Sequence, residues 1–201
     1  SNLYYLHYDE NLIIEYMRKG EVSKRIEGNI YTIGEGDLII TVPSELHVPI
    51  KTEECYVERL SLHVSESLLS AFGGDRTVFF DTIVGKQKGV GNLIVAEVVK
   101  EQGMDILLNQ CLEYAKKGTL EAQVLMNCKV IELLSKLVNL AQTSSPDDMV
   151  TPSSNKNVNE MIDYINRHYT EDVTLDILAA RFHFSKYYIS HLFRDYVGVS
   201  P

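Results

Sequence analysis

The hydrophobic residues of this chain follow two different periods. From Leu3 to about Ser65, short runs either alternate apolar and polar residues or are wholly apolar, and turns rich in Gly, Asn and Asp separate them. Alternation with period two is typical of strands, and short strands at regular spacing indicate a small barrel or sandwich. Strands are predicted at 12–17, 22–26, 30–33, 38–42 and 56–63.

Beyond about residue 90 the apolar residues recur every three to four positions, which predicts helices. The first is placed from Asn92 to Gln102 and the second from Met104 to Lys117. Gly118 is suited to the left-handed position that ends a helix, and Thr119 can cap a third helix that continues to about residue 142. Together with the strands, these helices predict an α+β chain.

The longest predicted helix has two apolar stripes. One stripe is enough to pack on the strands, and the second needs another helix as its partner. That partner is either the helix at 104–117 or the same helix in a second copy of the chain, and we expect a homodimer. The first stripe contains Leu120, Val124, Ile131, Leu134, Val138 and Ala141; the second contains Met126, Val130, Leu133, Leu137 and Leu140.

The last stretch, 157–201, has the pattern of three short helices. Thr174 precedes the second helix and Ser185 the third, where their hydroxyls can accept hydrogen bonds from the first free backbone amides. Two short helices joined by a tight turn, the second with a polar and aromatic outer face, suggest a helix-turn-helix.

The chain is predicted to divide at a polar segment rich in Ser, Thr, Pro and Asp. This segment, 143–156, has no apolar period and is interpreted as a linker. We therefore expect a β domain at 1–90, a helical support and dimerisation region at 91–142, and the helix-turn-helix unit at 157–201.

A family resemblance follows from the residues of the last stretch. The string T-L-x-x-L-A-x-x-F-x-x-S-x-x-Y-x-S-x-L-F-R-x-x-x-G-x-S-P, from Thr174 to Pro201, resembles the first helix-turn-helix of AraC-type (AraC/XylS) transcription regulators. The resemblance implies sequence-specific binding to double-stranded DNA under the control of a small-molecule effector. It also implies a second helix-turn-helix, so that the natural protein is expected to continue beyond Pro201.

The N-terminal part has a resemblance of its own. His7-Tyr8-Asp9-Glu10 leads into a long strand, and Gly36-Asp37 is followed by an apolar run, Pro43 and His47. This signature is similar to the cupin-like β-barrel sensor domain of AraC-type regulators. It implies that the domain binds an effector, such as a sugar or another small metabolite.

Composition and charge narrow the choice of compartment and partner. The 201-residue chain is 45% hydrophobic and 23% charged, has no apolar run of membrane-spanning length, and contains three scattered Cys, which favours a reducing cytoplasm. The formal net charge is −9, and 157–201 contains four basic and six acidic residues. Because affinity for phosphates comes from Lys and Arg, we expect this chain alone to bind DNA weakly and to need the second helix-turn-helix.

The predicted DNA-binding residues lie on the third helix of the last stretch. By match to the family motif, Tyr187, Ser190 and His191 occupy positions that meet bases, while Lys186 and Arg194 are suited to phosphates. The alternative is that this unit is only a scaffold and that the five side chains are solvated.

The predicted effector site is at the mouth of the β domain, where polar and aromatic side chains can bind a small ligand. The alternatives are that several of these side chains are ordinary core or surface residues, or that the domain has lost its ligand and only dimerises. The candidate effector-binding residues are Tyr5, His7, Tyr8, Glu10, Tyr16, Arg18, His47 and Arg59.

Metal-dependent chemistry finds less support in the sequence. Cupin enzymes present an H-x-H pair, a Glu and a later His, whereas here His7-Tyr8-Asp9 lacks the second His. His7, Asp9 and His47 could bind a divalent ion in principle, but we expect no metal, no cofactor and no enzymatic activity. The rival hypothesis is a cupin-fold sugar-binding protein or metal-dependent enzyme.

Overall fold

The computed structural model describes residues 7–50, 56–68, 82, 88–143 and 156–196. Among these residues the chain is α+β, as predicted, with strands followed by helices. No helix in these ranges combines the length and the apolar character needed to cross a membrane.

In the part of the chain that the structure describes, seven strands form two antiparallel sheets. The four-stranded sheet has the order β6-β1-β4-β7, and the three-stranded sheet has the order β3-β2-β5. The described strands therefore do not close into the single barrel that was predicted. Their bounds are β1 Leu12–Lys19, β2 Val22–Ile26, β3 Asn29–Ile33, β4 Leu38–Thr41, β5 His47–Ile50, β6 Glu58–Val64 and β7 Leu93–Ile94.

Strand β1 is the centre of the larger sheet. Ile14 lies opposite Ile40 of β4 on one side and Leu62 of β6 on the other. Successive side chains point to opposite faces, so Leu12 and Ile14 pack into the core below the helices while Glu15 and Met17 face the other way. Both faces of β1 are buried, which explains its nearly continuous apolar run.

Three helices follow the strands: α1 Ala96–Glu101, α2 Met104–Lys117 and α3 Leu120–Thr143. The prediction of a helix starting at Asn92 was wrong, because 93–94 form β7 and pair with β4 in the register Leu38–Ile94. The Asp37 carboxylate then accepts a hydrogen bond of 2.9 Å from the Ala96 amide at the start of α1. The predicted left-handed cap at Gly118 is confirmed by its φ of 64°.

Helices α2 and α3 pack on each other and on β1. The second stripe of α3 is largely buried here, through Val130, Leu133 and Leu137. In the first stripe Leu134 is buried, whereas Leu120 and Val124 are 78% and 54% exposed. Within one copy, therefore, the sheet and α2 cover most of α3 and leave an apolar patch at its beginning.

The C-terminal unit consists of α4 Lys156–Arg167, α5 Leu175–Phe182 and α6 Lys186–Tyr196, with a small core of its own. Both predicted caps are present: Thr174 Oγ1 accepts from the Ile177 amide at 3.4 Å and Ser185 Oγ from the Tyr188 amide at 3.1 Å. His183 takes the left-handed conformation, with φ of 58°, and turns the chain from α5 into α6. The core contains Val158, Met161, Ile162, Leu178, Ile189, Leu192 and Phe193.

Candidate functional site

A polar cavity of about 260 Å³ lies in the β domain. Its lining comes from both sheets: β1 and β6 belong to the four-stranded sheet, and β2 and β5 to the three-stranded sheet. The segment before β1 completes it. The lining residues are His7, Asp9, Ile13, Glu15, Lys24, His47, Pro49, Arg59, Ser61 and His63.

A buried charge network forms one wall of this cavity. Lys24 Nζ donates to Glu15 Oε2 at 2.6 Å and to Thr41 Oγ1 at 3.0 Å, and Arg59 Nη1 lies 3.1 Å from Glu15 Oε1. Burial by itself raises the pKa of Glu15, but the charges of Lys24 and Arg59 and the hydrogen bond from Lys24 outweigh it, so the pKa is lowered. Glu15 is therefore ionised, and its single negative charge offsets only part of the positive charge of Lys24 and Arg59.

A second group in the cavity combines two imidazoles and a carboxylate. His47 Nε2 lies 3.3 Å and His7 Nε2 lies 3.8 Å from Asp9 Oδ2. The rings of His7 and His47 are 4.4 Å apart between centroids. Burial and the nearby charge of Lys24 lower the pKa of His47, which favours the neutral ring at physiological pH.

The position of His47 is fixed from two directions. A backbone bridge pairs it with His7, through hydrogen bonds of 3.2 Å from the His7 amide and 2.9 Å from the His47 amide. Its Nδ1 atom lies 3.0 Å from the Glu45 carbonyl oxygen. Because only a protonated ring nitrogen donates to a carbonyl, this contact leaves Nε2 as the acceptor in the neutral ring.

Glu45 itself anchors the turn before His47. Its carboxylate accepts hydrogen bonds of 2.8 Å from the amides of Val42 and Gly89 and from Asn92 Nδ2. Burial raises the pKa of Glu45, against the effect of these donors. Gly89 has φ of 72°, and a Cβ atom there would lie 2.7 Å from the Glu27 Cβ, so only glycine fits this close approach.

The structure brings together three of the predicted effector-binding residues: His7, His47 and Arg59 line the cavity. Tyr8 and Glu10 are exposed and lie outside the lining. Tyr16 packs against the core on the opposite face of β1, and Arg18 pairs with Glu58 at 2.7 Å. Tyr5 lies outside the described residues.

The lining also contains residues that the candidate list lacked: Asp9, Ile13, Glu15, Lys24, Pro49, Ser61 and His63. Two of them left a signal in the sequence. Glu15 is a carboxylate inside an otherwise apolar run, and Lys24 falls on the same face of β2 as the apolar Val22 and Ile26. A charged residue on the inward face of a strand requires a partner of opposite charge, and Glu15 and Lys24 are partners of each other.

Helix α6 of the C-terminal unit presents the predicted DNA-binding residues. Tyr187 is 75% exposed, His191 and Arg194 are also exposed, and Ser190 is half-buried. Spacings of four and three residues put the three exposed side chains along one face. Lys186 is exposed but forms an ion pair with Asp176 of α5.

The packing below this face fixes the direction of α6. Ile189, Leu192 and Phe193 are buried against α4 and α5. Phe184, just before the helix, packs on Tyr188 of the first turn with 4.9 Å between ring centroids, in the manner of a hydrophobic staple. The arrangement holds a polar and aromatic face away from the core, where it can approach a groove of DNA.

Comparisons with known proteins give distant structural matches. No protein-family model matches the sequence, and no curated protein matches it. Similar solved structures include the AraC-like transcriptional activator CuxR, at 12% identity and a TM-score of 0.45, with 92% of this chain and 61% of CuxR covered. This chain thus spans less than two thirds of the length of CuxR.

ToxT from Vibrio cholerae is also similar. The apo K231A form matches at 8% identity and a TM-score of 0.41, covering 98% of this chain and 70% of ToxT. A structure of wild-type ToxT with bound unsaturated fatty acid matches at 12% identity and a TM-score of 0.26, covering 98% and 87%.

Proposed function

We propose that this chain is part of a transcription regulator of the AraC type that binds DNA through α5 and α6 and a small polar effector through its β domain. The observation that carries the proposal is the geometry of α5, α6 and the turn between them. Two capped helices meet at a left-handed turn, and the second exposes Tyr187 and His191 while its opposite side packs on α4 and α5.

In this proposal α6 is the recognition helix. Tyr187, Ser190 and His191 contact base edges, and Lys186 and Arg194 contact phosphates. A neutral or protonated imidazole donates to guanine through one nitrogen, whereas an arginine donates through two, so discrimination by His191 is expected to be modest. Lys186 must exchange its ion pair with Asp176 for one with a phosphate.

The effector is proposed to be a polar molecule of modest size, such as a sugar. The cavity is lined by three imidazoles, a hydroxyl, and the Glu15 carboxylate with its two ion-pair partners, Lys24 and Arg59. Ile13 and Pro49 form its apolar surface. Hydrogen bonds would orient a ligand there, and burial of apolar surface would contribute little to its binding free energy. It controls DNA binding only if it binds one arrangement of the protein more tightly than another.

The remaining proposals concern assembly and place of action. The exposed apolar residues at the start of α3, Leu120, Val124 and Leu125, are proposed to contact a second copy in a homodimer. A regulator of this kind acts in the cytoplasm and needs no catalysis.

The test is DNA binding across a salt series, measured by fluorescence anisotropy on DNA upstream of the gene and its neighbours. The 201-residue chain and the full-length natural protein are compared. We expect the full-length protein to bind specific DNA with a steep salt dependence and the shorter chain to bind weakly. Equal, sequence-independent binding by the full-length protein, with and without candidate metabolites, would overturn the proposal in favour of a cupin-fold binding protein or enzyme.

A further inference from the structure

We propose that His7, Asp9 and His47 bind one divalent transition-metal ion at the polar cavity. Sequence analysis alone led to the opposite expectation, because an H-x-H pair is missing. The structure favours a metal site, because the Asp9 carboxylate lies close to both imidazoles. The inference deepens the proposed effector site, because the ion would occupy the same cavity.

The donor atoms are already close to the spacing that a metal ion requires. One nitrogen from each histidine and one Asp9 oxygen all lie within 4.8 Å of one another, and the His47–Asp9 distance is 3.3 Å. Ligand atoms around a tetrahedral zinc ion lie roughly 3.4 Å apart, given zinc–ligand distances of about 2.0–2.2 Å. The His7 Nε2–Asp9 Oδ2 distance, 3.8 Å, is longer than this and would shorten on binding.

The backbone holds two of the three ligands in register before any ion binds. His7 and His47 face each other across a pair of backbone hydrogen bonds, so their side chains leave the chain on the same side. His47 also directs Nδ1 to the Glu45 carbonyl, which is the outer contact that orients a ligating histidine and presents Nε2 to a metal. Glu45 is in turn fixed by Val42, Gly89 and Asn92.

The charge and the chemistry of the three side chains fit a borderline divalent cation. Two imidazoles and one carboxylate suit zinc, cobalt, nickel or ferrous iron better than magnesium or calcium, which prefer oxygen ligands. The charge of the neighbouring Lys24 is partly offset by Glu15, which pairs with it at 2.6 Å.

The ion would keep at least one open coordination position. Three protein ligands leave a zinc ion short of its usual four, and all three line a cavity of about 260 Å³. A small molecule with an oxygen or nitrogen donor can fill that position and thereby be held in the effector cavity. The ion then provides much of the binding site for the effector.

The experiment uses the untagged chain, freed of metal with a chelator and titrated with Co²⁺. Cobalt replaces zinc in such sites and its visible absorption reports the coordination directly. We expect one Co²⁺ ion per chain and a visible spectrum typical of cobalt with a low coordination number. Zn²⁺ should displace the cobalt, and calorimetry measures this displacement.

The variants are His47→Gln, Asp9→Asn and, as a matched control, His63→Gln. His63 lines the same cavity but lies outside the three-residue cluster. The first two variants should weaken Co²⁺ binding by roughly a hundredfold or more, since losing even an outer-shell partner costs about 10–100-fold. The control should bind as the unchanged chain does. Circular dichroism of the metal-free variants checks that they fold. If His47→Gln does not fold, Asp9→Asn still tests the site, because it preserves side-chain size.

Two results would overturn this inference: no saturable Co²⁺ uptake by the folded chain, or uptake that His47→Gln and Asp9→Asn leave unchanged. Either result leaves the proposed regulator intact, because the DNA-binding experiment requires no ion. Conversely, metal binding without specific DNA binding would retain the site and reject the regulator.

Discussion

The rings of Tyr187 and His191 are in contact on the exposed face of α6, with their centroids 4.2 Å apart and their planes tilted by 47°. They are one helical turn apart, so each ring limits the rotamers of the other. The pair therefore forms a partly ordered surface in the free chain.

Replacing either member of this pair should weaken specific DNA binding by the full-length protein. Tyr187→Ala and His191→Ala are each expected to cost about 1–3 kcal/mol on specific DNA and little on non-specific DNA. Because the rings are in contact, the double variant should cost less than the two single losses combined. Anisotropy titrations on matched and scrambled DNA measure both effects.

The control for this series is Tyr169→Ala. Tyr169 is 79% exposed and belongs to the same unit, but it follows α4 and lies outside α6. Its replacement should leave specific DNA binding unchanged. A loss equal to that of Tyr187→Ala would show that the whole surface acts non-specifically.

Breaking the Glu15–Lys24 pair should strongly destabilise the β domain. Lys24→Met leaves a buried carboxylate with only Arg59, which is partly exposed, and removal of one partner of a buried pair typically costs about 3–5 kcal/mol. Urea unfolding of the variant measures the loss. Lys19→Met, at the exposed end of β1, is the matched control and should stay within about 0.5 kcal/mol.

The buried Tyr31 side chain should lower the free energy of unfolding at high pH. Burial first, together with the charge of Glu45, raises its pKa from 10.0 to about 12, so the folded state holds its proton more tightly than the unfolded state. Its contribution to stability is complete below pH 10 and is lost as pH rises through the folded pKa. Two pH units correspond to about 2–3 kcal/mol.

The measurement is urea unfolding at pH values from 9 to 12, the window around the two pKa values of Tyr31, for the unchanged chain and for Tyr31→Phe. The variant should lose less stability across this window, although it starts lower because the hydrogen bond of 2.6 Å to the Gly89 carbonyl is gone. Tyr187→Phe, which changes an exposed phenol, should keep the slope of the unchanged chain. Parallel slopes for all three proteins would contradict the assignment to Tyr31.

His183 provides a test of backbone strain in the turn between α5 and α6. Its φ of 58° is a conformation that costs a non-glycine residue about 1–2 kcal/mol. After allowing for the greater entropy of glycine in the unfolded chain, His183→Gly should stabilise the unit by up to about 1 kcal/mol. His191→Gly, inside α6, should instead destabilise it by about 1 kcal/mol. Thermal unfolding of the two variants gives opposite shifts if the turn is strained as described.

Local chemistry explains what the sequence could predict. The caps at Thr174 and Ser185 and the left-handed Gly118 depend only on neighbouring residues, and all three are present in the structure. The α+β class follows from the change of hydrophobic period. These features need no knowledge of distant partners.

Pairings between distant residues were harder to predict. Residues 93–94 look helical by their neighbours but become a strand because β4 offers a free edge, and 47–50 become a strand through pairing with β2. The cavity depends in the same way on Lys24 reaching Glu15 from the other sheet. Tyr8 and Arg18 resembled cavity residues in sequence, but nothing local shows that one is exposed and the other pairs with Glu58.

The Glu45 network has a consequence for how the protein is made. Glu45 is buried, yet its partners Gly89 and Asn92 follow it by 44 and 47 residues. While only the first strands have left the ribosome, the Glu45 carboxylate has the Val42 amide but lacks these two donors, so burying it then is costly. The turn that aligns His47 is expected to form late in synthesis, only after the segment at 88–92 has emerged and folded back.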